Sequence, residues 1–80
     1  MRKIEVLGSG CANCHRLAAN ATEAAASAGV AAEVIHVTDM REIVRRGVMS
    51  TPGLAIDGQI VSTGRVASAA EIARWLTEQS

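Results

Sequence analysis

The first half of the chain carries apolar and polar patterns that predict a strand, a helix and a second strand. Residues 3–7, Lys-Ile-Glu-Val-Leu, alternate like a strand and stop at Gly8-Ser9-Gly10, which permits a sharp turn. Over residues 12–28, polar side chains recur at spacings of four, three and four, as on one face of an alanine-rich helix. These polar positions are Arg16, Asn20, Glu23 and Ser27. Gly29 predicts the end of this helix, and the β-branched segment 32–37 predicts a largely buried second strand.

The next segment predicts a short helix. Asp39 followed by Glu42 has the spacing of a capping box, and apolar residues keep a helical period until Gly47 lets the chain leave the helix. The apolar positions are Met40, Ile43, Val44 and Val48. Met40 and Met49 are expected in the core or at its rim, where Met49 would border the segment that follows.

The last third predicts a hairpin and a final helix. Segments 53–56 and 59–63 flank Asp57-Gly58, the two-residue signal of a type I′ turn. Ser68 and Glu71 have the spacing of a second capping box, and apolar residues line one side of the helix that follows. These are Ala69, Ile72, Ala73 and Leu76, while the neighbouring Trp75 is expected to pack rather than to bind a ligand.

The predicted order of elements is β-α-β-α-β-β-α, and it indicates one fold class. A right-handed crossover makes the first two strands parallel, and the hairpin adds an antiparallel pair, so the helices must cover both faces of the sheet. We therefore predict an α/β protein, a three-layer α/β/α sandwich with a four-stranded mixed sheet. No linker or repeat interrupts residues 1–80, which we expect to form a single domain.

Composition and charge exclude several classes of function. Apolar residues make up 49%, but no Phe or Tyr occurs, so the core must consist of Val, Ile, Leu and closely packed alanines. Eight basic and eight acidic residues cancel, and no basic run exists that would follow a nucleic-acid backbone or an anionic membrane. No stretch has the roughly 18 apolar residues of a membrane span or the apolar centre of a signal peptide. We expect a cytoplasmic protein with no nucleic-acid or membrane partner.

The two cysteines are the candidate catalytic residues. A permanent disulfide is rare in the cytosol, so Cys11-Ala12-Asn13-Cys14 is better explained by reactive or metal-binding thiols. Cys11 would lie at the start of a helix, where free amide N–H groups and the helix dipole favour a thiolate, so we predict that it is the nucleophile. Cys14 falls on the apolar helix face with Ala18, Ala21 and Ala25, which predicts a buried resolving thiol.

These motifs together resemble the thioredoxin and glutaredoxin superfamily. The Cys-x-x-Cys after the first strand, Thr51-Pro52 before the third, Asp57-Gly58 and Gly64 carry the resemblance over the whole chain. The chain looks most like the minimal thioredoxin-like redox-active disulfide proteins of bacteria and archaea. The resemblance implies a thiol–disulfide oxidoreductase in which Pro52 is cis and lies beside the disulfide, while the backbone of Thr51 binds substrate. It implies no cofactor, a disulfide-containing protein as substrate, a dithiol reductase or thiol donor as partner, and a monomer.

The chain departs from the superfamily at positions that tune the chemistry. Ordinary thioredoxins have a Trp before the first cysteine and Gly-Pro between the pair, where this chain has Gly10 and Ala12-Asn13. Glutaredoxins have Gly-Gly after the fourth strand, where segment 62–65 reads Ser-Thr-Gly-Arg, which weakens a prediction of glutathione binding. Thioredoxins also bury an acid before the cysteines. Glu5 is the candidate for that acid, although strand alternation can equally turn it to solvent.

Three metal-based alternatives share the same cysteines. The run from Cys11 to His15 matches the c-type haem attachment pattern, but haem attachment usually requires export and an apolar cover. Zinc could draw on both cysteines with His15 and His36, but adjacent helix residues point about 100° apart, and His36 has no partner at finger-like spacing. Capture of a metal or of arsenite by the dithiol alone is the remaining alternative. His15 itself is expected to be solvated, and its charged form would further favour the Cys11 thiolate.

Overall fold

The computed structural model describes residues 1–78, and within them seven elements follow one another in the predicted order. They are β1 (Arg2–Leu7), α1 (Ala12–Ala28), β2 (Ala32–Val37), α2 (Met40–Arg45), β3 (Gly53–Ile56), β4 (Gln59–Thr63) and α3 (Ala69–Glu78). None of the helices in this described part of the chain has the length and apolarity needed to cross a membrane.

The strands form a mixed sheet in the order β2-β1-β3-β4. β1 pairs in parallel with β2 and antiparallel with β3, and β3 pairs antiparallel with β4, with a register shift at Leu54/Ala55. The predicted α/β fold with its four-stranded mixed sheet is confirmed. Because β1 is a central strand, the turn that follows it lies between neighbouring strands and is held on both sides.

The helices cover both faces of the sheet and create two apolar clusters. Alternation along β1 directs Ile4 and Val6 to the face where α1 and α3 pack together, and directs Leu7 to the face covered by α2. The larger cluster includes Cys14, Leu17, Ala21, Ala24, Leu54, Ile56, Ile72 and Leu76. The smaller cluster consists of Leu7, Ile43, Val48 and Ala55. The first turn of α1 therefore lies on the larger core.

The predicted helix caps are used, with one exception. Asp39 caps α2 by accepting from the N–H of Arg41 at 2.9 Å, but Glu42 pairs with Arg45 instead of closing the predicted capping box. Gly29 ends α1 in the left-handed conformation at φ 68°, where its N–H donates to the carbonyls of Ala25 and Ala26. Before α3, the N–H of Glu71 donates to Ser68 Oγ at 3.1 Å, and the N–H of Ser68 donates back to a Glu71 carboxylate oxygen at 3.1 Å. The hairpin turn has positive φ at both Asp57 (51°) and Gly58 (86°), as a type I′ turn requires.

The expected burial of β2 is wrong, and the apolar residues of α2 are unequally buried. β2 is not largely buried, because it is an edge strand with one neighbour, and none of its residues is fully buried. The helical period of α2 does not produce a buried stripe, because Met40 is 52% exposed and Val44 is 60% exposed, while Ile43 alone is buried in this helix. Met49 also lies outside the core, at 88% exposed. Within α2, the contact with the smaller cluster is therefore made by Ile43.

Candidate active site

Cys11 is the N-cap residue of α1. Its backbone is extended, at φ −70° and ψ 171°, and its Sγ accepts a hydrogen bond from the N–H of Cys14 at 3.4 Å. The first intrahelical bond runs from the N–H of His15 to the Cys11 carbonyl at 3.1 Å. The side chain of Cys11 is exposed, so a solvent-borne disulfide can reach its sulfur. The predicted position of an accessible thiol at the helix start is confirmed.

Cys14 is buried one turn further along the helix, at 1% exposed, among the side chains of the larger cluster. Its place depends on Gly8, which follows β1, because a Cβ built on Gly8 would overlap the Cys14 Sγ. Gly8 was predicted only as a turn residue. Its lack of a side chain is what lets Cys14 lie against the end of β1. The predicted burial of Cys14 is confirmed.

The two free thiols lie next to each other, with their Sγ atoms 2.8 Å apart. The hydrogen bond from Cys14 is the largest cause that lowers the pKa of Cys11, and the N–H of Cys14 adds to it. Burial is the largest cause that raises the pKa of Cys14, and its hydrogen bond to Cys11 adds to it. The helix start was predicted to activate Cys11, and its backbone N–H groups do lower the pKa, but the neighbouring thiol is the largest single cause. The arrangement favours an exposed thiolate beside a buried thiol that keeps its proton.

The Thr51-Pro52 segment lies beside the cysteine pair. The Thr51 Cβ is 3.7 Å from the position where a Cβ of Gly8 would stand, so this segment and Cys14 meet at Gly8. The Thr51–Pro52 peptide bond is cis. Thr51 is exposed and Pro52 is buried. The structure thus places Thr51 and Cys14 next to each other at Gly8, with Cys11 in contact with Cys14.

Gly64 ties this segment to the end of β4. Its N–H donates to the carbonyls of Ser50 at 3.1 Å and Pro52 at 3.0 Å, and its φ is 74°, which favours glycine. A Cβ at Gly64 would stand 3.0 Å from the Cβ of Ser50, so the close approach also requires glycine. Gly64 therefore holds the Ser50–Pro52 backbone in place from the end of β4.

Glu5 is buried but does not lie beneath the thiols. It alternates with Ile4 and Val6, so its carboxylate points to the α2 face, away from Cys14. There it accepts two hydrogen bonds from the Arg46 guanidinium, at 2.8 and 3.0 Å. This hydrogen-bonded pair lowers the pKa of Glu5. The sequence identified Glu5 as a candidate buried acid but gave no signal for Arg46, which is 41 residues away.

The two histidines lie beside each other at the surface. Among residues 1–78, no three or more His, Cys, Asp or Glu side chains are grouped so that they could hold a metal ion. His15 and His36 are both exposed, and their ring centroids are 5.8 Å apart. The sequence analysis named both histidines as potential zinc ligands but found no partner for His36 at finger-like spacing, so it did not predict this contact.

Comparison with known proteins agrees with the geometry. The family described as "Thioredoxin domain" matches residues 2–77. A thioredoxin of Methanothermobacter thermautotrophicus is 44% identical over 77 residues, which cover 96% of this chain and 100% of the relative. A thioredoxin of Methanocaldococcus jannaschii is 39% identical over 69 residues, which cover 86% of this chain and 79% of the relative. The chain therefore belongs to the thioredoxin family of thiol–disulfide oxidoreductases.

Proposed function

We propose that Cys11 is the attacking thiolate and Cys14 the resolving thiol of a protein disulfide reductase. One observation carries this assignment: the exposed Cys11 sulfur accepts a hydrogen bond from the N–H of Cys14 and lies 2.8 Å from the buried Cys14 sulfur. The cysteine with the lowered pKa is the one that a substrate can reach, and the cysteine with the raised pKa is shielded. This asymmetry gives the two sulfurs different roles.

The reaction exchanges two electrons without a cofactor. The Cys11 thiolate attacks one sulfur of the substrate disulfide, which forms a mixed disulfide and releases the other substrate sulfur as a thiolate. The Cys14 thiol gives its proton to that leaving sulfur and becomes a thiolate. It then attacks the Cys11 sulfur, which releases the second substrate sulfur as a thiolate and closes the Cys11–Cys14 disulfide. The substrate is reduced, the protein is oxidised, and an external dithiol reductase or thiol donor restores the two thiols.

The proposal assigns substrate binding to Thr51 and Pro52. Thr51 is exposed beside Gly8 and Cys14, so an extended substrate segment whose disulfide reaches Cys11 would pass over it. The N–H of Gly64 donates to the carbonyls of Ser50 and Pro52, the residues on either side of Thr51. These hydrogen bonds fix the backbone of the Thr51-Pro52 segment. A fixed backbone loses little entropy when a substrate segment binds to it.

The proposal includes a disulfide-containing protein as the substrate, a monomeric state and a cytoplasmic location. The cytoplasm suits this chemistry because its thiol pool keeps a dithiol such as Cys11 and Cys14 reduced between turnovers.

Trapping of mixed disulfides tests the assignment. Cys14→Ser removes the resolving sulfur, so substrate should accumulate on Cys11 as a disulfide that dithiothreitol cleaves. Cys11→Ser is the matched control and should trap far less, because the remaining thiol is buried. If Cys14→Ser traps nothing, or the two variants trap equally, the assigned roles are wrong. A wild-type protein without disulfide reductase activity that instead bound arsenite or zinc tightly would support the dithiol-carrier alternative.

A further inference from the structure

Two histidines meet at the corner where α1 passes over β2. His15 lies in the first turn of α1, and His36 pairs with Val6 near the end of β2. Paired residues of neighbouring strands point to the same face, so His36 points to the α1 side of the sheet, as Val6 does. The two rings are tilted by 48°, with their centroids 5.8 Å apart.

The ring nitrogens of this pair are available to a ligand. Both side chains are exposed, and within residues 1–78 neither imidazole has a hydrogen bond or an ion pair. A histidine that serves only packing commonly binds a carbonyl or carboxylate through one nitrogen. In this pair, each ring touches the other and leaves its nitrogens open.

The separation of the rings suits chelation of one metal ion. A zinc-bound imidazole nitrogen lies about 2.1 Å from the metal, which places the ring centroid about 3.2 Å from it. Two such rings at a tetrahedral angle have centroids about 5.2 Å apart. The observed centroid separation is 5.8 Å, slightly longer than this value. A small rotation of either exposed side chain would close the difference.

We propose that His15 and His36 together bind a divalent transition-metal ion, with water completing its coordination. Imidazole suits Zn²⁺, Cu²⁺ and Ni²⁺, whereas Mg²⁺ and Ca²⁺ prefer oxygen ligands. The site uses no sulfur, so it is independent of the dithiol function. A bound ion would connect two elements: the first turn of α1, which begins at Cys11, and the edge strand β2.

A Zn²⁺ titration of the oxidised protein tests this site. With the Cys11–Cys14 disulfide closed, neither sulfur can bind the ion, so calorimetry reports the remaining ligands. We expect one ion per chain, together with shifts in the ring resonances of both histidines. His15→Gln and His36→Gln should each weaken binding by about tenfold or more, because a chelate loses its advantage when either ligand is removed. The double variant should bind Zn²⁺ more weakly than either single variant, because it loses the last imidazole, but by less than the sum of the two single losses.

The matched control is Glu33→Gln, which changes an exposed residue on the same strand and leaves both histidines in place. It should bind Zn²⁺ as the wild type does. The proposal is overturned if the oxidised wild type binds no Zn²⁺, if the two single losses add in the double variant, or if Glu33→Gln weakens binding as much as His36→Gln. Circular dichroism of each variant verifies that the fold is retained.

Discussion

Gly8 and Cys14 are in such close contact that a methyl group on Gly8 would overlap the Cys14 sulfur. Gly8 also continues the parallel pairing of β1 and β2, because its N–H donates to the Val37 carbonyl at 3.0 Å. The backbone at Gly8 is thus held by the sheet and cannot withdraw. A side chain at this position must therefore displace Cys14.

Gly8→Ala should move the Cys14 sulfur out of its buried place. We expect a loss of stability of about 1–3 kcal/mol from overpacking, together with faster alkylation of Cys14 in the folded protein. Chemical denaturation and mass spectrometry of alkylated peptides measure the two effects. Ser9→Ala, in the same turn but exposed, is the control and should change neither. Unaltered alkylation of Cys14 in Gly8→Ala would show that the contact does not position the thiol.

Alkylation of Cys11 should follow a thiolate whose pKa is lowered mainly by Cys14. The rate should rise with pH and inflect below the ordinary thiol value of about 8.5. Cys14→Ala removes the hydrogen bond from the neighbouring thiol, so the inflection should move to higher pH in that variant. Rates of iodoacetamide modification across pH 5–10, followed by mass spectrometry, give both curves. Coincident curves would mean that backbone amides alone activate Cys11.

Removal of Arg46 should leave a buried carboxylate without its partner. Arg46→Ala is expected to lower the free energy of unfolding by about 3 kcal/mol at neutral pH. Because the pair lowers the pKa of Glu5, its contribution is fully present above the unfolded value of 4.5 and is lost as pH falls through the lower folded value. The difference between wild type and Arg46→Ala should therefore shrink in acid, as measured by urea denaturation.

Arg45→Ala is the matched control for that experiment. Arg45 is the preceding residue, and it pairs with Glu42 at the surface. Surface pairs contribute little, so this variant should remain close to the wild type at every pH. An equal loss in both variants would contradict a specific role for the buried Glu5–Arg46 pair.

The pKa of Glu71 should depend on its ion pair with Arg65, a residue that follows β4. The Arg65 guanidinium, followed by the N–H of Ser68, lowers the pKa of Glu71 to about 2. Arg65→Gln should raise this pKa toward 4.5 without reaching it, because Ser68 still donates hydrogen bonds. Titration of the Glu71 side-chain carbonyl resonance by NMR measures the change. Arg74→Gln, beside Glu78, should leave the Glu71 value unaltered.

The elements of this fold were predictable because their signals are local. Asp57-Gly58 determines a tight turn, Gly29 ends a helix, and Ser68 with Glu71 begins one, each within a few residues of sequence. The two cysteines were distinguishable for the same reason: one lies at the helix start and the other on its apolar face. Each of these inferences depends only on the hydrophobic period of a single helix or strand and on the residues at its ends.

The features that escaped prediction depend on contacts between distant segments. Which strand is at the edge of the sheet decides the burial of β2, and strand order is not visible in the pattern of β2 itself. Arg46 contacts Glu5, and His36 contacts His15, only when α1 and α2 are packed on their faces of the sheet. The role of Gly8 escaped for the same reason, because a missing side chain carries no signal until its neighbour is known.

The thiols and the substrate-binding segment of the active site rest on apolar clusters of different size, on opposite faces of the sheet. Cys14 belongs to the larger cluster, whereas Val48, just before the Thr51-Pro52 segment, belongs to the smaller one beneath α2. Amide hydrogen exchange should therefore be faster in α2 than in α1, because less buried apolar surface opposes local opening. Such opening would loosen the substrate-binding half and leave Cys14 shielded as before. Substrate capture and thiol chemistry can thus respond separately to temperature and denaturant.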